Sequence, residues 1–90
     1  MAYLIKCLDK KNSLKIRLST REKHLKYLKL IDDLLILAGP ILDKKNDPIG
    51  TILVVNFETI DEVELFLKND PYNKVGLFEE VDIIKFKRVL

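Results

Sequence analysis

The sequence predicts an α+β domain whose elements follow the order β-α-β-β-α-β, the ferredoxin-like or split βαβ arrangement. Three observations lead to this fold class. The chain of 90 residues is 48% hydrophobic and holds three glycines and three prolines, a composition typical of one folded domain. Two stretches with helical spacing each follow a capping motif, and short apolar runs bounded by turn residues surround them. Residues 1–90 are therefore expected to form a single domain.

The first strand and the start of the first helix are predicted from the runs near the amino terminus. Residues 2–8 form a mainly apolar run and are expected to be the first strand. Ser19 and Glu22 have the spacing of a capping box, in which the hydroxyl and the carboxylate each satisfy a free backbone amide. The helix is therefore expected to begin at Ser19, with residues 14–18 before it as an extended segment or a loop.

The first helix is expected to direct one histidine towards the core. Leu28, Ile31 and Leu35 recur at the spacing of a buried helical face. His24 lies four residues before Leu28, so its side chain is expected to point inward with this face. Arg21 lies one turn earlier, on the flank of the same face.

The rest of the chain supplies three strands and a second helix. The apolar run at residues 34–42 is expected to hold the end of the first helix and a short second strand. Residues 52–55 are all aliphatic, which is typical of a strand buried on both faces. A second capping box begins at Thr59, and its helix ends before Pro71 because the residue before a proline disfavours helical geometry. A turn then leads to the last strand, expected over residues 81–88.

The predicted sheet has one face that this chain cannot cover. Two helices of the predicted length cover one face of a four-stranded sheet. The strand at residues 52–55 is apolar on both sides, so the second face also needs a cover. A second copy of the same sheet is the most economical cover. We therefore expect a homodimer that closes sheet to sheet about a two-fold axis.

Composition and charge disfavour several classes of protein. Cys7 is the one cysteine and cannot form an intrachain disulfide, and no run is long enough for a signal peptide or a membrane span. A cytoplasmic protein without membrane contact is expected. Residues 1–30 carry nine basic against two acidic side chains, a surplus that could contact phosphate or face an acidic surface. No nucleic acid partner is expected, because residues 51–56 offer no aromatic ring for stacking on bases.

Several short motifs lie in a characteristic order along the chain. They are Arg21-x-x-His24-Leu25-x-Tyr27-Leu28, Gly39-Pro40, Gly50, Asp70-Pro71-Tyr72 and Gly76-Leu77. Their order and spacing resemble those of the YciI-like, or YCII-related, proteins over nearly the whole chain. The resemblance implies a dimeric α/β barrel of ferredoxin-like subunits, in agreement with the homodimer expected above.

The resemblance also implies an active site. The family's histidine in the first helix and its aspartate in the Asp-Pro-Tyr motif map onto His24 and Asp70, and an arginine maps onto Arg21. Many members have a serine where this chain has Thr51, which keeps a hydroxyl as a candidate contact to a ligand. Tyr72 is a further candidate for the wall of a pocket.

Each candidate also has a purely structural interpretation. A lone histidine such as His24 on an apolar helix face is more often a buried core residue than a catalytic one. Asp70 could cap the turn that Pro71 begins. Arg21 could be a solvated residue of the first helical turn, and Tyr72 could be a packing residue.

The expected function is acid/base chemistry on a small cyclic or aromatic molecule. His24 is the only histidine, so it is the expected base near neutral pH, with Asp70 as its orienting partner and Arg21 as a clamp for an anion. The clearest precedent in the family is removal of chloride from a chlorinated hydroxyhydroquinone, and relatives by fold act on muconolactones. Proton abstraction, elimination or isomerisation is therefore expected, as in a lyase or an isomerase.

Two alternatives stay open at this point. One is a non-catalytic dimeric module that binds a small ligand or has a regulatory role. Such a module would use the same pocket but would not convert the ligand. A haem-binding relative on the same barrel would use His24 as an axial ligand. No metal and no cofactor are expected, since one histidine without a cysteine partner cannot supply the usual zinc ligands.

Overall fold

The computed structural model describes residues 2–90 and contains a four-stranded antiparallel sheet with helices packed on one face. The elements are β1 Ala2–Asp9, α1 Leu14–Lys29, β2 Leu35–Leu42, β3 Pro48–Val55, α2 Ile60–Lys68, α3 Pro71–Lys74 and β4 Phe78–Phe86. A turn of 3₁₀-helix, Asp32–Leu34, joins α1 to β2. The strand order in the sheet is β2-β3-β1-β4, which confirms the predicted ferredoxin-like arrangement. None of the helices in residues 2–90 is both long and apolar enough to cross a membrane.

The sheet buries one face of its central strands against the helices. In β1, the buried Tyr3, Ile5 and Cys7 alternate with the exposed Lys6. Ile5 lies directly opposite Leu53 of β3, and paired residues share a face of the sheet. The helices supply the other side of this core through Leu28, Val63, Phe66 and Leu67.

The opposite face of the sheet points away from the helices. The register places Ile84, Leu4, Val54 and Leu37 side by side across all four strands, in the order β4-β1-β3-β2. Ile84 and Leu37 at the ends of the row are 53% and 51% exposed, whereas Leu4 is half-buried and Val54 is 3% exposed. This apolar row is the part of the surface that the expected second copy would cover.

The first helix begins earlier than the capping box predicts. α1 includes residues 14–18, and Ser19 lies inside the helix, where its hydroxyl donates to the carbonyl of Ile16. The prediction that the helix begins at Ser19 was therefore wrong. The physical reason is an ion pair across the turn at residues 10–13, because the added residues of α1 bring the Arg17 side chain back to Asp9 at the end of β1.

α1 also ends earlier than its apolar stripe predicts. His24 and Leu28 are buried, as expected. The helix stops at Lys29, so Ile31 and Leu35 lie beyond its end, where they are half-buried and pack against the core. Of the apolar run at residues 34–42, Leu34 ends the 3₁₀ turn and Leu35–Leu42 form strand β2, so the run does not contain the end of α1.

The second capping box is confirmed, but the segment after α2 differs from the prediction. The backbone amide of Glu62 donates to Thr59 Oγ1, and the Thr59 hydroxyl donates to Glu62 Oε1. α2 ends at Lys68, before Pro71, as expected. The predicted turn after it contains the short helix α3, since proline is preorganised for the first helical position. β4 begins at Phe78, a few residues earlier than predicted.

Candidate active site

A cleft of about 190 Å³ lies between α1 and the part of the sheet formed by β2 and β3. α1 contributes Arg17, Arg21 and His24 to its wall, β3 contributes Thr51, and α3 contributes Tyr72. The rest of the wall consists of leucine, alanine, glycine and proline residues. A volume of this size suits one small ring, because sites for drug-sized ligands usually start at about 300 Å³. Four of the five residues predicted for the site therefore border one cleft.

Asp70, the fifth predicted residue, lies behind His24. His24 Nδ1 and Asp70 Oδ1 are 2.8 Å apart, and the two side chains are 5% and 0% exposed. The same carboxylate oxygen accepts the backbone amide of Tyr72 at 2.9 Å and so caps α3. Its second oxygen, Oδ2, is enclosed and has no hydrogen-bond partner in the described chain. Asp70 thus caps a helix and contacts the histidine at the same time.

The contact with Asp70 determines which nitrogen of His24 faces a ligand. A buried carboxylate is costly to ionise without a partner, and the Nδ1–H group of His24 supplies that partner. With this proton on Nδ1, the lone pair of the neutral imidazole lies on Nε2. Within residues 2–90, Nε2 has no hydrogen-bond partner and is not enclosed, so it opens on the cleft that His24 lines. This geometry allows Nε2 to take a proton from a molecule in the cleft.

The Tyr72 ring packs against two side chains of α1. It stacks on the His24 ring, with the centroids 3.9 Å apart and 18° between the planes, and the Arg17 guanidinium carbon lies 4.5 Å from its centroid. Positions 17 and 24 are separated by about 10.5 Å along a helix axis, which leaves room for one ring to contact both. Burial raises the pKa of Tyr72, against an opposite effect of Arg17 and Arg21, so the phenol stays protonated near neutral pH.

Arg17 is a residue of the site that the sequence analysis missed. Its Nε and Nη2 atoms donate to the two carboxylate oxygens of Asp9 at 2.6 and 3.1 Å, and Nη2 also donates to Thr51 Oγ1. The two charged side chains are almost fully buried. A signal was present, because Arg17 lies two helical turns before His24 and shares its face. The predicted helix start at Ser19 left Arg17 outside the helix and hid this relationship.

Arg21 differs from Arg17 in its electrostatic environment. It is exposed and borders the cleft one turn after Arg17. It forms no salt bridge with any of residues 2–90. Arg17 is therefore held and neutralised by Asp9, whereas Arg21 places an uncompensated positive charge beside the cleft.

Cys7 and Tyr27 have structural roles. Cys7 is fully buried, and burial raises the pKa of its thiol from 9.0 to about 12, so the thiol stays protonated and unreactive. Tyr27 donates its hydroxyl to the carbonyl of Phe66 at 2.7 Å and stacks on the Phe66 ring, so it packs the core. In the part of the chain that the structure describes, no three histidine, cysteine or acidic side chains come together as metal ligands.

Sequence relatives extend over the full length of this chain. The family model for the YCII-related domain matches residues 1–87. Protein YciI of Escherichia coli is 36% identical over 97 aligned residues, and a protein of Haemophilus influenzae is 32% identical over 97. Each of these two alignments covers 99% of both chains.

Solved structures agree with this assignment. The 5-chloro-2-hydroxyhydroquinone dehydrochlorinase TftG from Burkholderia phenoliruptrix AC1100, in complex with 2,5-dihydroxybenzoquinone, is similar with a TM-score of 0.91 and 32% identity. That similarity covers 99% of this chain and 96% of the dehydrochlorinase. An antibiotic biosynthesis monooxygenase has a TM-score of 0.60 and 11% identity, and this match covers all of both chains. At this identity the similarity shows the fold alone. On the family match and the full-length relatives, this chain belongs to the YCII-related family.

Proposed function

We propose that this protein is an enzyme that uses His24 and Asp70 as an acid/base pair on a small cyclic or aromatic molecule. The observation that carries the proposal is the 2.8 Å contact between His24 Nδ1 and Asp70 Oδ1, beside a cleft of about 190 Å³. The similarity to a dehydrochlorinase whose structure holds 2,5-dihydroxybenzoquinone supports a ring as the ligand. The reaction is of the lyase or the isomerase type.

The proton moves through Nε2 of His24 in this mechanism. Ionised Asp70 accepts the Nδ1–H bond and stabilises the imidazolium that forms when Nε2 takes a proton from the substrate. The electron pair of the broken C–H bond stays on the ring. In an elimination, this pair forms a new double bond while a leaving group such as chloride departs with its own pair. In an isomerisation, Nε2 returns the proton to a different ring carbon.

Three further residues bind the substrate in this mechanism. Arg21 places its positive charge beside the cleft, where it binds a negatively charged group of the substrate. Thr51 and Tyr72 border the cleft with side chains that carry hydroxyl groups. The stacking of Tyr72 on His24 also holds the imidazole in a fixed orientation, which keeps Nε2 directed at the bound ring.

The working unit in this proposal is a cytoplasmic homodimer. The apolar row of Ile84, Leu4, Val54 and Leu37 supports a sheet-to-sheet contact, because a two-fold axis brings the same patch of both copies together. The cleft lies on the helix side of the sheet. Pairing of the opposite faces therefore leaves the cleft open to substrate.

The experiment that tests the acid/base role measures proton exchange and chloride release. The purified protein is incubated in heavy water with 5-chloro-2-hydroxyhydroquinone and, separately, with muconolactone. Deuterium incorporation is followed by mass spectrometry, and free chloride is followed by ion chromatography. We expect the wild type to accelerate exchange or elimination. The rate with His24→Gln should be lower by about 10²–10⁴-fold, which is the contribution typical of a positioned acid/base group.

Lys26→Gln is the matched control, because Lys26 is exposed on α1 and does not line the cleft. This variant should keep the full wild-type rate. Equal rates for His24→Gln and the wild type would contradict the acid/base role. Saturable binding of a ring without exchange or chloride release would favour the alternative function, a non-catalytic binding or regulatory module.

A further inference from the structure

Most polar groups that open on the cleft are hydrogen-bond donors. Asp9 and Thr51 occupy Nε and Nη2 of Arg17, which leaves the two N–H groups of Nη1. Among the described residues, Nη1 has no partner and is not enclosed, so it opens on the cleft that Arg17 lines. The Tyr72 hydroxyl also has no hydrogen-bond partner within residues 2–90, and the almost fully buried Tyr72 lines the same cleft. Thr51 Oγ1 accepts from Arg17 and keeps its own proton available to donate.

The formal charges beside these donors are unequal. Asp9 neutralises Arg17, so Arg17 can donate hydrogen bonds without requiring a formal anion as their acceptor. Arg21, one turn further along α1, has no such carboxylate partner in residues 2–90. The Arg17 end of the cleft therefore suits a neutral oxygen that gains charge during a reaction, and the Arg21 end suits an oxygen that is already ionised.

The apolar part of the wall suits the carbon skeleton of a ring. Leu18 and Leu25 of α1 contribute one part of it, and Pro40 of β2 and Pro48 of β3 contribute another. A cleft of about 190 Å³ accommodates one ring with short substituents. This volume is below the range of about 300–1,000 Å³ that is usual for pockets of drug-sized ligands, so it favours a small ligand.

We propose that the cleft takes a small planar ring with a carbonyl oxygen and an ionised oxygen on different carbons, as in a vinylogous acid. Nη1 of Arg17 and the hydroxyls of Thr51 and Tyr72 bind the carbonyl oxygen, and Arg21 binds the ionised oxygen. This assignment rests on the proposed function. When His24 takes a proton from the carbon next to the carbonyl, the electron pair of that C–H bond moves to the carbonyl oxygen and gives an enolate. Arg17 then stabilises the new negative charge in the manner of an oxyanion hole.

Three ring probes separate the two contacts. Cyclohexane-1,3-dione is a vinylogous acid and is ionised at neutral pH. Its methyl enol ether, 3-methoxycyclohex-2-en-1-one, keeps the carbonyl without the charge, and cyclohexanecarboxylate keeps a charge without the ring carbonyl. Binding is measured by isothermal titration calorimetry. We expect the dione to bind the wild type at least about tenfold more tightly than either of the other probes, since it alone makes both contacts.

Substitutions at the two ends of the cleft should have different effects. Arg21→Gln should remove the preference for the dione over its ether and leave the affinity for the ether unchanged. Thr51→Val should weaken the binding of the dione and of the ether alike, by about tenfold, and leave the affinity for cyclohexanecarboxylate unchanged. Arg17→Lys keeps the positive charge beside Asp9 but lacks the free guanidinium edge, so it should act like Thr51→Val. Thermal melting shows that each variant is folded.

Three results would overturn this assignment of the two oxygen sites. An unchanged preference for the dione in Arg21→Gln overturns the site for the ionised oxygen. Unchanged affinity for the ether in both Thr51→Val and Arg17→Lys overturns the site for the carbonyl oxygen, and no binding of any probe overturns both. Failure of the proposed function is distinguishable, because the probes then bind in the expected order while the wild type does not accelerate exchange of the protons next to the ether's carbonyl.

Discussion

Asp70 Oδ1 accepts two hydrogen bonds, from the His24 ring at 2.8 Å and from the Tyr72 amide at 2.9 Å. One carboxylate oxygen therefore starts the helix that carries Tyr72 and orients the imidazole on which Tyr72 stacks. Capping and orientation are not alternatives in this molecule. The cap holds Asp70 in one rotamer, and that rotamer places the carboxylate against His24.

Asp70→Asn should separate these two roles. Asparagine keeps an oxygen for the Tyr72 amide, so α3 should stay capped and stability should change by about 1 kcal/mol. The retained oxygen can still accept from Nδ1–H of His24, but the amide has no negative charge to stabilise the imidazolium. We therefore expect turnover to fall by about 10²–10⁴-fold. Two-bond ¹H–¹⁵N NMR of the imidazole should show the proton on Nδ1 in both proteins, so the fall in turnover reports the lost charge.

Asp61→Asn is the matched control, because Asp61 is exposed in the first turn of α2. Its turnover and its imidazole spectrum should equal those of the wild type. Wild-type turnover in Asp70→Asn would show that the contact between His24 and Asp70 is structural and not catalytic.

The buried pair of Arg17 and Asp9 should be strongly coupled. Asp9→Asn leaves a buried guanidinium without its counterion, and Arg17→Gln leaves a buried carboxylate, so each should cost about 3–5 kcal/mol of unfolding free energy. The double variant retains neither charge and should lose clearly less than the sum of the two. Urea unfolding measures all four proteins of this double-mutant cycle.

Arg21→Gln provides the comparison for that cycle. Arg21 is exposed and forms no salt bridge within residues 2–90, so its replacement should cost no more than about 0.5 kcal/mol. Additive losses in the cycle would mean that Arg17 and Asp9 do not stabilise one another.

The ion pair between Arg17 and Asp9 explains the part of the fold that local sequence patterns did not predict. Residue order, apolar periods and caps are local signals, and they were sufficient for the order of the elements along the chain and for α2. Ser19 also matched a local cap. The true start of α1 is selected by the contact between Arg17 and Asp9, which depends on a turn that no local pattern describes.

Local sequence patterns predicted only part of the candidate site, because its residues lie on different elements. The inward direction of His24 followed from the helical period. Its pairing with Asp70, 46 residues away, came only from the family resemblance, because no period links two different elements. The contact of Tyr72 with both His24 and Arg17 depends on α3, a helix too short to leave a periodic pattern in the sequence.

Cys7 should make folding stability sensitive to alkaline pH. Burial raises the pKa of its thiol from 9.0 to about 12, with nearby carboxylates such as Asp70 adding to the effect. Between these values, the folded state keeps a proton that the unfolded chain loses. The stabilisation is therefore fully present below pH 9 and is lost as the pH rises to about 12. Cys7→Ala lacks this titration, so the difference in unfolding free energy between wild type and variant should shrink over this range.

Urea unfolding at several pH values measures this difference. Tyrosines also titrate in the range, but they are common to both proteins and cancel. In the native wild type, a thiol reagent such as dithionitrobenzoate should not react with Cys7 until urea is added. A constant difference between the two proteins from pH 9 upward, or rapid labelling of native Cys7, would contradict the prediction.

The apolar row on the free face of the sheet should hold two copies of the chain together. We expect the wild type to sediment at twice the chain mass of 10.5 kDa at micromolar concentration. Ile84 lies in the row and is 53% exposed, so an isolated subunit has room for a charged side chain at this position. Two paired sheets do not have that room, because the carboxylate would lose its water. Ile84→Glu should therefore sediment as a folded monomer with a wild-type circular dichroism spectrum.

Leu65→Glu is the control for this substitution. Leu65 is 62% exposed on α2 and lies outside the row, so its variant should remain a dimer. If the wild type is a monomer at tens of micromolar, the sheet-to-sheet contact does not form. If Leu65→Glu dissociates and Ile84→Glu remains a dimer, the contact uses the helix side of the molecule, and the cleft beside His24 would then lie close to the interface instead of opening to solvent.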